Sequence, residues 1–319
     1  MTNKNLILVI GSGYMATEYL KVIANTDYKA VVVGRGEEKI DILKCLFPDF
    51  IYYSGGVDKY LNTSSQIPSI AINTVNVEYL RDVTISLLNG GVKRILVEKP
   101  GDITADGLSR IEQASTINRA QVFIAYNRRF YSSVSELAKQ ANLDGGILSA
   151  HFEFTEWIHT IDPLHYGKET LNKWIIANSS HVIDTVFSLI GKPKSISCHI
   201  SGKNIISWHP TGSIFTGSGI SQQDIPFTYH SNWQAPGRWG IEVLTKKRRY
   251  YLRPMEKLCV QDLGTINIIE YPLDDKTDKQ FKPGLYYQTT SFLNDSVTNL
   301  VTLQEQIKLV ALLDKIGSY

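Results

Sequence analysis

The sequence predicts an α/β protein in two parts: a parallel sheet flanked by helices over residues 1–125, then an α/β domain with a mainly antiparallel open sheet over residues 126–319. Three observations carry that prediction. Short apolar runs alternate with helix-periodic stretches through the first 125 residues, the pattern of buried parallel strands joined by crossover helices. After Tyr126 the strands follow one another with only short turns between them, which favours antiparallel pairing. The length, 319 residues, is about twice the roughly 150 residues of an ordinary domain.

Leu6-Ile7-Leu8-Val9-Ile10 is apolar throughout and predicts a first buried strand. It meets Gly11-Ser12-Gly13, after which Met15, Tyr19, Val22 and Ile23 recur at i, i+4, i+7 and i+8, one face of a helix. Ala30-Val31-Val32-Val33 predicts the second strand, ended by Gly34-Arg35-Gly36. Residues 38–47 predict a helix offering Ile40, Leu43, Cys45 and Leu46 to a core, and strands three and four are expected over 50–53 and 69–72. Residues 77–88 suit a helix closed by Asn89-Gly90-Gly91, a C-cap signal. A fifth strand over 94–97 breaks at Pro100, a helix follows over 105–118, and a sixth strand over 121–125. The domain boundary is expected at Ala125 and Tyr126, without a disordered linker.

Beyond it, residues 132–142 predict a helix, and residues 147–156 a strand in which Leu148, Ala150 and Phe152 alternate with polar neighbours. A helix is expected to start near His181 and run to Ile190. Strands over 195–201, 214–217, 227–233, 239–245, 249–253 and 265–271 build the open sheet. Residues 285–317 read as helical, with Leu303, Ile307, Leu309, Val310 and Leu313 on an apolar face that can pack back on the first domain.

Composition narrows the function classes. Hydrophobic content of 43% and charged content of 20% are globular values. Lys and Arg (33) against Asp and Glu (31) leave a net charge of +2, so nucleic acid is not expected as a partner. The run Lys246-Lys247-Arg248-Arg249 reads as a solvated hairpin. No apolar run approaches the 18 or so residues of a membrane span, and the first residues show no signal-peptide pattern. Cys45, Cys198 and Cys259 are scattered, with neither zinc nor paired spacing. A cytoplasmic, metal-free protein is the expectation.

The chemistry-bearing residues lie at the ends of the predicted strands. Gly11-Ser12-Gly13-Tyr14-Met15-Ala16 matches G-x-G-x-x-A between a strand and a helix, the fingerprint of a dinucleotide-binding Rossmann domain. Gly11 permits the tight turn, Gly13 lets the backbone approach a pyrophosphate, and the helix start at Tyr14 and Met15 faces the anion. At the end of the second strand a carboxylate would bond the ribose of NAD(H). Here Gly34 is followed by Arg35, which can grip a 2′-phosphate, so NADP(H) is the preferred cofactor and NAD(H) the alternative. Glu37 and Glu38 compete for that role, and the plainer reading of Arg35 is an exposed surface cation. Thr74 and Asn76 follow the fourth strand. Glu98 and Lys99 follow the fifth, at the end of the sheet that faces ligand.

In order and spacing, Gly11 to Ala16, then Glu98-Lys99-Pro100, then Ala125-Tyr126-Asn127-Arg128-Arg129-Phe130, then His181-Val182-Ile183-Asp184 resemble the glucose-fructose oxidoreductase / inositol dehydrogenase / rhizopine catabolism (Gfo/Idh/MocA) family. The resemblance implies a C-terminal sheet that makes a homodimer or homotetramer. It also implies oxidation or reduction of a carbinol carbon in a sugar, cyclitol or nucleotide-linked sugar. Lys99 matches the family's motif lysine and His181 the histidine of its H-x-x-D helix. Two departures stand out. The family's acid three or four residues before that histidine is replaced by Asn178 and Ala177, and its T-P-N-x-x-H reads Thr74-Val75-Asn76-Val77-Glu78-Tyr79. The first departure removes a Lys-Asp-His relay and leaves Lys99 and His181 as the catalytic pair.

The residues agree with that pair. Hydride transfer at a carbinol needs proton transfer at its oxygen, for which histidine is suited, and a lysine can polarise the oxygen. Asp184 either orients His181 or is a helix-surface acid. Tyr126, Arg128, Asn178, His165 and Tyr166 are candidate substrate contacts, Trp157 and His159 either line a pocket or pack a loop, and Arg238 is a further partner for an anionic group. The other class left open is a non-catalytic dinucleotide-binding regulator, which the same family includes.

Overall fold

β1 (Leu6–Ile10) forms where the apolar run predicts it: Ile7 to Ile10 are buried, as a central parallel strand requires. The computed structural model, which describes residues 5–319, continues through α1 (Tyr14–Ile23), β2 (Lys29–Val33), α2 (Glu37–Leu46), β3 (Ile51–Tyr53) and α3 (Gly56–Thr63). Next come β4 (Ile70–Asn73), α4 (Leu80–Asn89), β5 (Arg94–Glu98), α5 (Ala105–Ile117) and β6 (Gln121–Ala125). The six strands pair in parallel in the order β6-β5-β4-β1-β2-β3. Strand order reverses between β1 and β4, which opens a crevice at their carboxyl ends. These elements and the later segment Leu285–Val310 make one compact unit.

Two local readings need correction. α3 was not expected; of its eight residues only Val57 and Tyr60 are buried. In α2, Ile40 and Leu43 are buried while Cys45 and Leu46 are exposed, since so short a helix covers one narrow stripe. α4 closes as its C-cap signal predicts: Gly90 is the cap residue and Gly91 takes the left-handed conformation (φ 94°).

The second unit comprises Tyr126–Gly284 with Ala311–Tyr319. Its elements are α6 (Ser132–Leu143), β7 (Ser149–Glu153), α7 (Lys168–Asn172), α8 (Ser180–Ile190), β8 (Pro193–Ser201) and β9 (Ile214–Ser221). They continue with β10 (Pro226–Asn232), β11 (Gly240–Leu244), β12 (Arg248–Leu252), β13 (Cys259–Asp262), β14 (Ile269–Glu270) and α9 (Lys276–Gln280). The sheet order is β14-β13-β12-β11-β7-β10-β9-β8; β10 and β7 run parallel, and the other pairs are antiparallel. Alternation buries one face. Phe152 meets Phe154, Phe187, Phe227 and Tyr229 there, while Leu148 is exposed. β13 was not expected, because Val260 is the one buried residue of its four and pairing with β12 defines it. The strand expected over 265–271 shrinks to β14.

The last segment is not one helix but α10 (Leu285–Leu293), the short β15 (Val301–Thr302) and α11 (Leu303–Gly317). β15 adds an antiparallel edge to β6. Among the described residues no helix is long and apolar enough to cross a membrane.

Candidate functional site

In the first unit the ends of β1, β2 and β4 open on a cleft of about 680 Å³. Gly11 turns the chain out of β1 at φ 114°. A Cβ there would stand 2.5 Å from Thr74 Oγ1 and 3.2 Å from the Thr74 backbone, so only glycine lets the two loops approach. Thr74 holds its own loop in place, its N–H and Oγ1 donating to Ile10 O at 2.8 and 2.9 Å. Buried Asn73 fixes the loop from below, through Nδ2 to Leu80 O and to Thr84 Oγ1, both at 3.0 Å. Gly13 is different: nothing lies within 4 Å of where its Cβ would be. It caps α1 without a side-chain hydrogen bond, which leaves first-turn N–H groups available to an anion.

On the other side of the cleft, Gly34 N–H donates to Tyr53 O (3.0 Å), Gly55 N–H to Arg35 O (3.1 Å) and Gly56 N–H to Gly34 O (2.9 Å). Arg35 is thereby fixed in the wall, its guanidinium 4.9 Å over the Tyr79 ring. Gly11, Gly13, Gly34, Arg35, Thr74 and Asn76 all line the cleft. Tyr14 and Met15 do not line it; Tyr14 is 66% exposed at the start of α1. Sequence reasoning passed over Lys39, Gly55, Gly56, Asp58 and Tyr79 as lining residues. A Gly-Gly pair after the third strand was the available signal.

Glu98 and Lys99 leave β5 outside that cleft, in a turn closed by Gly101 N–H to Glu98 O (3.0 Å). The turn is held at both sides. Tyr19 O–H donates to Glu98 Oε1 (2.9 Å) and Gln306 Nε2 to Pro100 O (3.0 Å). Burial and the neighbouring Glu98 charge push the Tyr19 phenol well above its ordinary range, so it stays a donor.

In the second unit α8 places His181, 7% exposed, with its ring edge-on to Tyr126 (5.7 Å) and 6.0 Å from Trp239. A π-helical turn, Ile175–Ser179, precedes α8. From it Asn178 Nδ2 donates to both oxygens of Glu156 (3.2 and 3.0 Å) and Ser179 Oγ to Glu156 Oε1 (2.6 Å). The Glu156 carboxylate is almost fully buried, and Arg238 approaches it at 3.6 Å. A carboxylate from beyond β7 therefore lies against Asn178, at the chain position where the resembled family carries its acid. Nothing in the local sequence around Glu156 signals this.

Asp184 is not a helix-surface acid: it is buried and accepts Arg129 Nε and Nη2 at 2.7 and 2.6 Å. Arg128 lies 4.6 Å over the Trp239 ring, and Arg238 lies 4.8 Å over the same ring and 4.6 Å over Trp157. Tyr126, Arg128, Asn178 and His181 thus belong to one connected group. His165 does not join it, being exposed and paired with Asp162 at 3.2 Å; Tyr166 packs edge-on against Trp174. The basic run at the β11–β12 turn is matched by acids, Arg248 by Asp144 and Asp262 and Arg249 by Glu242.

No protein-family model matches the chain, and no curated protein is similar to it in sequence. Solved structures do match over nearly its whole length. A dehydrogenase (MviM) from Clostridium difficile superposes with a TM-score of 0.77 at 17% identity, covering 98% of this chain and 99% of that one. UDP-N-acetylglucosamine 3-dehydrogenase GnnA from Acidithiobacillus ferrooxidans gives 0.73 at 13%, covering 98% and 96%. Biliverdin reductase from Synechocystis, solved with biliverdin and NADP+, gives 0.71 at 12%, covering 99% and 98%. At these identities the likeness is one of fold: the chain has the two-sheet architecture that these oxidoreductases share.

Proposed function

We propose that this chain is an NADP(H)-dependent oxidoreductase acting at a carbinol or ketone carbon of a sugar-type substrate. The observation that carries the reading is the cleft at the β1/β4 switch point, where Gly11 and Gly13 clear a path for a pyrophosphate and Gly34, followed by Arg35, occupies the position of an NAD-selecting carboxylate. The residues fit a dinucleotide: Gly13 and the first turn of α1 would hold the phosphates, Thr74 and Asn76 the adjoining ribose region, and Arg35 a 2′-phosphate. Glu38 and Asp58 also line the cleft, so the preference rests on Arg35 outweighing them. The names of the fold neighbours, which include an enzyme solved with NADP+ and a sugar-nucleotide dehydrogenase, support the same class.

The nicotinamide, when bound, gives or takes the hydride. By the family resemblance His181 exchanges the proton with the substrate oxygen, and Lys99 stabilises negative charge as it develops. The turn that carries Lys99 is braced on either side of it, at Glu98 by Tyr19 and at Pro100 by Gln306.

NADPH should bind more tightly than NADH by about 1–3 kcal/mol, and Arg35→Ala should erase the difference. In single-turnover hydride transfer across a panel of sugars and sugar nucleotides, His181→Ala should slow the step by about 10²–10⁴-fold, and Lys99→Met at least as much. Equal affinities for the two cofactors would overturn the cofactor assignment. Unchanged rates in both variants would overturn the catalytic one, and tight NADPH binding with no turnover on the panel would make the chain a regulator.

A further inference from the structure

We propose that the substrate carries an anionic oxygen group, a carboxylate or a phosphoryl, which Arg128 and Arg238 receive beside His181. The choice of a sugar rests on the function proposed above; the anion site is read from the second unit by itself.

Adjacent arginines show the contrast. Arg129 makes a bidentate pair with buried Asp184, the geometry of an arginine that holds a fold together. The Arg128 guanidinium makes no hydrogen bond or ion pair among the described residues. It keeps some exposure to solvent and lies over Trp239 and, at 5.8 Å, over Tyr131. Burial depresses its ionisation and nearby Arg238 adds to the effect. The acids in reach do little to offset this. Glu256 is exposed and acts on Arg128 from beyond ion-pair distance. Glu156 is already taken up by Asn178 and Ser179 and meets Arg238 loosely, at 3.6 Å. Tyr131, pushed up to about 12 mainly by burial, stays neutral.

Two guanidiniums thus sit on one indole, with Glu156 nearest Arg238 and Glu256 acting on Arg128 from farther off. A cation kept part-buried without a partner is costly, whereas a planar fork beside a second cation suits a bidentate oxyanion. Trp239 is also the ring 6.0 Å from His181, so an anion held here would set a sugar hydroxyl within the histidine's neighbourhood.

The test is equilibrium binding to the full chain without cofactor, followed by calorimetry and by tryptophan fluorescence. Glucuronate is compared with glucose, and glucose 1-phosphate with glucose. At least one charged sugar should bind tenfold or more tightly than glucose, with an advantage that shrinks as salt is added. Glucuronate alone would identify a carboxylate, glucose 1-phosphate alone a phosphoryl group. Arg128→Met should abolish the advantage and Arg128→Lys retain part of it. Arg238→Met, at a half-exposed position, gives a second comparison should Arg128→Met fail to fold. Charged sugars that bind no better than glucose, or an advantage that survives in folded Arg128→Met, would overturn the proposal. NADPH titration of the same proteins reports on the cofactor reading separately.

Discussion

Gly11 and Gly13 belong to one motif but meet opposite constraints, and the difference is measurable. An alanine at 11 must adopt φ 114° and push its Cβ against Thr74, which should cost roughly 2–3 kcal/mol of stability. An alanine at 13 meets nothing within 4 Å and loses only a favourable helix cap, under about 1 kcal/mol. We therefore expect denaturant unfolding to show Gly11→Ala strongly destabilised and Gly13→Ala close to wild type, with Gly13→Ala nevertheless weakened in NADPH binding. Similar stability losses in both, or full NADPH affinity in Gly13→Ala, would contradict the assignment. Gly11, Gly13, Gly34 and Arg35, each carried by a short motif at a strand end, could be placed at the cleft from the sequence. Glu156 could not: its surroundings come from residues more than twenty positions away.

Among the elements, the loop before β9 and the end of α11 are joined by one buried histidine. His209 Nδ1 bonds Gly212 O at 2.8 Å and Nε2 meets the Tyr319 hydroxyl at 2.7 Å. A carbonyl only accepts, so Nδ1 carries the proton and neutral Nε2 accepts from Tyr319. Tyr319 O in turn accepts Ile175 N–H at 3.1 Å, which ties in the turn before α8. Burial lowers the His209 ionisation below its ordinary value of 6.5. The unfolded chain therefore takes up the proton first as pH falls. The contribution of His209 is complete above about pH 6.5 and is lost below it, by at most about 1.4 kcal/mol per pH unit, until the folded histidine titrates too. His151 is shifted in the same direction, so the useful comparison is with His209→Gln. Thermal unfolding from pH 8 to pH 5 should decline less steeply in that variant, and parallel curves would remove the histidine from the account. The strands around this joint were legible from their alternation, whereas β13, α3 and the π-helical turn were not, because each is defined by its partners more than by its own apolar pattern.

On the scale of the whole molecule, the chain builds most of the first unit, then the second, and supplies the rest of the first from Leu285–Val310. The apolar pattern near the C-terminus was readable, but its division into a helix, an edge strand and a second helix was not, since β15 is only two residues long. That returning segment makes specific contacts. Tyr19 O–H also reaches Gln288 Oε1 at 3.4 Å, Phe292 packs edge-on to Phe123, and Arg94 lies over both rings while pairing with Asp295 at 2.5 Å. Val301 and Thr302 cover the free edge of β6. Leu285, Phe292, Leu300, Val301 and Val310 are buried, together worth on the order of 10 kcal/mol, comparable to the whole stability of an ordinary domain. A fragment ending at Ala125 should therefore give no cooperative unfolding transition and no measurable NADPH binding. The same fragment joined through a flexible linker to residues 285–310 should recover both. Cooperative unfolding and NADPH binding by the shorter fragment alone would show that the parallel sheet stands without its returning segment.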